Sequence, residues 1–116
     1  LLQLDEALID ALHANGFEVA VETNGTQTAP PGLDWVCVSP KRGGELVVRA
    51  GNELKLVVPQ EGLHPGDFES LMFDHFLLQP KDGPDREENT RLAIDYCLAN
   101  PTWRLSVQTH KFLGIP

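Results

Sequence analysis

The chain has 116 residues, 41% of them hydrophobic and 22% charged, which suits one domain spanning 1–116 with a modest core. A net charge of -8, with nine basic residues of which only Lys41 and Arg42 are adjacent, argues against a nucleic-acid partner, because phosphate neutralisation needs clustered cations. No apolar run is long enough for a membrane span and no signal segment is visible. Two cysteines without CxxC spacing make neither a disulfide framework nor a metal finger, so the expectation is a cytoplasmic protein without a membrane partner.

The opening stretch LLQLDEALIDALHANG predicts an amphipathic helix, with Leu4, Ala7, Leu8, Ala11 and Leu12 at three- and four-residue spacing. Asp5 suits its N-cap and Asn15-Gly16 its stop. FEVAVETNG reads as a strand, since Phe17, Val19 and Val21 alternate before Thr23-Asn24-Gly25 breaks the pattern. Residues 26–34, with Pro30-Pro31-Gly32, form a connection. LDWVCVSPK is a short apolar strand whose Trp35-Val36-Cys37-Val38 run lacks a polar face, as in a strand buried on both sides.

Residues 45–59 look like two strands around Ala50-Gly51-Asn52. Residues 64–72 predict a short helix with Pro65 in its first turn, and HFLLQP another apolar strand. DREENTRLAIDYCLANP predicts a second long helix, acidic at its start and closed by Asn100-Pro101. WRLSVQTH is the final strand. The order implies an α/β fold with mainly parallel strands. A parallel sheet wants helices on both faces, yet only two long helices are in view, so the unit is expected to be part of a larger one. The absence of an initial Met before Leu1-Leu2 points the same way.

Four apolar strands each end in a polar string: Glu22-Thr23-Asn24, Ser39-Pro40-Lys41, Gln79-Pro80-Lys81-Asp82 and Gln108-Thr109-His110-Lys111. Ligands of parallel α/β folds bind beyond the carboxyl ends of the strands. Parallel strands would bring all four strings to one rim. Polar turns also end ordinary strands, so no single string decides the matter. His13, His64 and His75 lack the HxxxH or HExxH spacing of a metal site, and His110 stands apart only by its place on the candidate rim. Cys37 and Cys97 read as small buried hydrophobes, and no nucleophile elbow is visible. No residue receives a catalytic or metal-ligating role.

The strings VETNGT, DWVCVSPK, LLQPKDG and QTHKFLGIP together resemble the C-terminal half of the 7-carboxy-7-deazaguanine synthase family, members of the radical S-adenosylmethionine (SAM) enzymes. The resemblance spans essentially the whole chain. The terminal string and the Ser-Pro-Lys after a strand are its most specific parts, whereas VETNG is shared more widely among radical SAM enzymes.

The resemblance implies the C-terminal half of a modified, incomplete β/α barrel that works as a homodimer. It implies conversion of 6-carboxy-5,6,7,8-tetrahydropterin to 7-carboxy-7-deazaguanine with loss of ammonia, a step toward queuosine. A four-iron four-sulfur (4Fe-4S) cluster cleaves SAM in that family, and magnesium assists. The family's three cluster cysteines, its magnesium-binding Thr and its Gly-Gly-Glu-Pro motif have no counterpart in this chain, so these 116 residues alone are expected to hold no cluster and do no radical chemistry.

Carried over by position, Glu22 contacts the SAM ribose. Ser39, Pro40 and Lys41 line the SAM site, and Gln79, Pro80, Lys81 and Asp82 form another wall. His110 and Gln108 face the pterin. The terminal carboxylate of Pro116 pairs with the pterin's amino-pyrimidine edge, a charge-assisted contact. Two other readings stay open: another radical SAM enzyme such as an activating enzyme, and a non-catalytic module that binds a nucleoside-like ligand.

Overall fold

A computed structural model describes residues 5–106. The first helix, α1 (Glu6–Ala14), starts where Asp5 Oδ1 accepts the Leu8 N–H at 2.8 Å, satisfying one of the donors that a first turn leaves open. It ends where Gly16 turns to φ 82° and the Gly16 and Phe17 N–H groups return to the His13 and Leu12 carbonyls. Five strands follow: β1 (Ala20–Thr23), β2 (Trp35–Val38), β3 (Ala50–Val58), β4 (Met72–Pro80) and β5 (Trp103–Leu105). The longer helix α2 (Arg86–Ala99) joins β4 to β5. The sheet order is β1-β2-β3-β4-β5 and every pairing is parallel. The fold is α/β, and its all-parallel sheet is compatible with part of a radical SAM β/α barrel. All described strand ends therefore fall on one rim.

β3 is one strand, not two. Gly51 makes no turn there. A Cβ at Gly51 would lie 3.0 Å from Phe73 Cε1 and 3.2 Å from the Val36 carbonyl, so glycine serves a close approach of neighbouring strands. Residues 46–48 run instead against the loop after β1, where the Val47 and Val48 N–H groups both donate to the Gly25 carbonyl at 2.7 and 3.0 Å. The helix expected over 64–72 shrinks to a single 3-10 turn, Pro65–Asp67. Gly66 lowers helix propensity there, and Phe68 leaves the turn to enter the core, so propagation stops early.

The core lies on one face of the sheet. In β3, Leu54 and Leu56 are wholly buried while the alternate Glu53 and Lys55 point the other way, as a two-residue period requires. Val38, Phe76, Leu78 and Trp103 join them beneath Ala93 of α2. Full burial of each such side chain is worth about 1.5–3 kcal/mol. Phe76 and Tyr96 meet the Trp103 ring at centroid distances of 5.3 and 6.4 Å. The Trp103 indole N–H donates to Glu69 Oε1 at 2.8 Å, which lets a polar atom go under cover without loss.

Of the stripe expected to bury α1, Leu12 is the half-buried member among the described residues. Ala7, Leu8 and Ala11 are exposed, and Ile9 is the buried residue, resting against Gly32. The β2 run is likewise not buried on both sides, for Trp35 stays 38% exposed.

Candidate functional site

The face opposite the core carries the chemistry. Strand pairing places Glu22 beside Cys37, Cys37 beside Glu53 and Glu53 beside His75, so one row across four strands bears four side chains that can bond or titrate. Residues paired across a sheet share a face, so this row is common to all four strands. Trp35 belongs to the same face and stacks on His75 with ring centroids 6.1 Å apart.

At the carboxyl rim the row tightens into a cluster. Ser39 Oγ donates to Glu22 Oε1 at 3.2 Å, and Lys55 Nζ lies 3.1 Å from the same oxygen. Both partners use Oε1, and Oε2 has no partner among the described residues. The Lys55 ammonium beside it holds the Glu22 carboxyl below its ordinary range, against a cost of partial burial. The Ser39 hydroxyl and the charge of Lys41 act in the same direction. Glu22 is thus an ionised acceptor with one oxygen anchored and one presented.

The other rim residues divide by what already occupies them. Thr23 Oγ1 accepts the Gly25 N–H, and Asn24 Oδ1 accepts from both the backbone and the hydroxyl of Thr26. Those two side chains build the turn rather than a binding surface. The Pro40 carbonyl accepts from the Gln60 amide at 3.4 Å, which ties the loop after β2 to the end of β3. The Lys81 N–H donates to the Val58 carbonyl, and the Lys81 carbonyl accepts the Asn89 amide at 3.1 Å. Pro80 pairs with Val58, and Asp82 Oδ1 lies 3.7 Å from Arg86 at the start of α2.

Gln79 differs from these. It is buried to 8% exposure, yet its amide has no hydrogen-bond partner among the described residues. Buried amides are normally satisfied, so the Gln79 amide, on the face of the candidate site, has capacity for a partner beyond the described residues. Gln108, His110 and Pro116 lie outside the described residues.

Sequence reasoning reached Glu22, Ser39, Lys41 and Gln79 but passed over Lys55, Glu53 and Arg104, and took His75 only as the start of a strand. Arg104 pairs with Leu77 on the same face. The signal was present in NELKLVV, where charges alternate with leucines inside a strand that has neighbours on both sides.

The residues fit a polar organic ligand better than a metal. Among the described residues no group of three His, Cys, Asp or Glu side chains could hold a metal ion. Burial, then the neighbouring Glu53 carboxylate, pushes the Cys37 thiol up to about 12, and burial also raises Cys97. A cluster ligand needs the thiolate, which these settings disfavour. Against that, an open carboxylate oxygen, a hydroxyl and an unsatisfied amide suit a polar molecule with its own donors and acceptors.

No family model matches the chain. Curated relatives named 7-carboxy-7-deazaguanine synthase include those of Bradyrhizobium diazoefficiens, 69% identical over 115 residues, Caulobacter vibrioides, 64% over 115, and Bordetella pertussis, 60% over 116. This chain is similar to 7-carboxy-7-deazaguanine synthase. The matches cover 99–100% of the chain and 55% of each relative, so the chain spans about half the length of the synthases it resembles. The similarity agrees with the resemblance read from the strand-end strings. No helix among the described residues is long and apolar enough to cross a membrane.

Proposed function

We propose that this chain provides part of the SAM and pterin sites of a 7-carboxy-7-deazaguanine synthase. That enzyme converts 6-carboxy-5,6,7,8-tetrahydropterin to 7-carboxy-7-deazaguanine with loss of ammonia, working as a cytoplasmic homodimer with magnesium. The observation that carries the proposal is identity of 60–69% to synthases over 99–100% of the chain. The polar face supports it. SAM bound with a reduced 4Fe-4S cluster supplies the radical that takes a hydrogen from the pterin.

The chain's own part is to bind and orient. Glu22, held ionised by Lys55, accepts hydrogen bonds from the ribose hydroxyls. Ser39, Pro40 and Lys41 close one side of the nucleoside, and Lys41 adds a cation that suits the SAM carboxylate. Gln79, Pro80, Lys81 and Asp82 form the opposite wall, where the Gln79 amide bonds the ligand. His110, Gln108 and Pro116 meet the pterin, which offers adjacent N–H donors. The cluster and the magnesium ion take their ligands from residues beyond these 116.

The test is a full-length protein containing this chain, with its cluster reconstituted under anaerobic conditions and supplied with SAM, reductant, magnesium and the tetrahydropterin. Formation of 7-carboxy-7-deazaguanine is expected, and its absence would overturn the proposal. Tight SAM binding without turnover would favour a non-catalytic nucleoside-binding module instead.

A further inference from the structure

The rim cluster has an asymmetry that the strand-end strings do not contain. Glu22 Oε1 receives both the Lys55 ammonium, at 3.1 Å, and the Ser39 hydroxyl, at 3.2 Å. A carboxylate oxygen has two lone-pair sites, so Oε1 is saturated and Oε2 retains both. Of the two charged side chains, Lys55 is the more enclosed, at 20% exposure against 58% for Glu22. Its anchor lies in β3, the central strand, paired on both sides. A β-branched residue would suit that strand position better than lysine, and Glu22 is the anion Lys55 meets among the described residues. An enclosed ammonium against a more exposed carboxylate is the arrangement of a fixed post and a presented acceptor.

We infer that Lys55 is a positioning residue: it locks Oε1 of Glu22 so that Oε2 takes both hydroxyls of a ribose-type vicinal diol. The selectivity that results is for ligands with two adjacent hydroxyls. Without Lys55 the carboxylate can rotate about its terminal torsion, and either oxygen can turn to solvent. The inference rests on Glu22 meeting the SAM ribose, and the test separates the two.

The experiment uses the full-length, cluster-loaded protein and reads equilibrium binding rather than turnover. The probes are SAM and a SAM analogue whose ribose lacks both hydroxyls. Glu22→Gln is expected to weaken SAM about tenfold, and Lys55→Met and Lys55→Gln about fivefold, within the net range of one hydrogen bond. Lys55→Met added to Glu22→Gln costs less than about twofold more, because its effect runs through the carboxylate. Lys55→Arg, which keeps the cation, restores most of the affinity. The dihydroxyl-lacking analogue binds wild type and Lys55→Met alike.

Loss of SAM affinity in Glu22→Gln with none in either neutral Lys55 variant would overturn the role of Lys55 and leave that of Glu22 standing. Unchanged SAM affinity in Glu22→Gln would overturn the ribose contact itself. Equal weakening of SAM and the analogue by Lys55→Met would reduce Lys55 to a structural residue and overturn the inference. Thermal unfolding of each variant identifies any that fails to fold, and the second neutral variant then decides.

Discussion

The two faces of the sheet are built from the same strands and do opposite things. On one, Val38, Leu54, Leu56, Leu78 and Trp103 are almost wholly covered, and their positions are fixed by packing. On the other, Glu22, Lys55 and Ser39 are fixed by charge and hydrogen bonding, and one carboxylate oxygen and the buried Gln79 amide have no partner among the described residues. Alternation along β3 makes the division within a single segment: leucine to the core, then charge to the site. Stability is therefore concentrated on the first face and open polar groups on the second, so a substitution can strike one with little effect on the other.

The comparison breaks most visibly at Trp103. Trp103→Ala removes the largest buried side chain and leaves Glu69 without its indole donor. A loss of about 3–5 kcal/mol is expected in denaturant unfolding, and a loss under 1 kcal/mol would mean that the core is not centred there. Gly25→Ala comes next. Its φ of 78° disfavours a side chain, and a Cβ would meet Leu46 Cδ1 at 2.7 Å and Val38 Cγ1 at 2.9 Å. A cost of about 1–3 kcal/mol should appear as a lowered melting temperature.

On the polar face, Glu22→Gln should change unfolding by no more than about 1 kcal/mol, because the carboxylate is largely exposed. Its effect belongs in ligand affinity. A large drop in stability there would erase the distinction between the faces.

A smaller effect is expected at Asp34, which accepts the Val19 N–H and meets His13 Nε2 at 2.7 Å, tying α1 to the start of β1. The Val19 N–H, then His13, lowers its carboxyl from an ordinary 3.8. A folded value below the unfolded one contributes stability that is complete above the unfolded value and lost as pH falls through the folded one. Melting curves of Asp34→Asn and wild type should therefore differ near neutrality and converge in strong acid. The mildest perturbation is chemical: with its thiol at about 12, Cys37 should resist alkylation at mildly alkaline pH until the protein is unfolded.

Much of this architecture was legible locally. Asp5, Asn15 and Gly16 announced α1, and the acidic start and Asn100-Pro101 bracketed α2. Parallel strands followed from the element order, and with them the shared rim. What stayed hidden depended on neighbours distant in sequence. Gly51 looks like a turn until Phe73 and Val36 are known to crowd it. The α1 stripe looks like a core until its burial is known. Lys55 could not be tied to Glu22 because they are 33 positions apart on strands separated by β2. Thr23 and Asn24 erred the other way: they read as part of a polar site but serve their own turn.

The two tryptophans give this division an optical form. Trp103 sits 2% exposed against Phe76, while Trp35 lies over His75 on the open side. The protein carries one indole fluorophore for each face. With Trp35→Phe the remaining emission follows folding alone. With Trp103→Phe, a volume-reducing change that keeps an aromatic ring, it follows events at the polar surface, where Trp35 stacks on His75. Occupancy and unfolding can then be watched separately in one molecule, without an added dye.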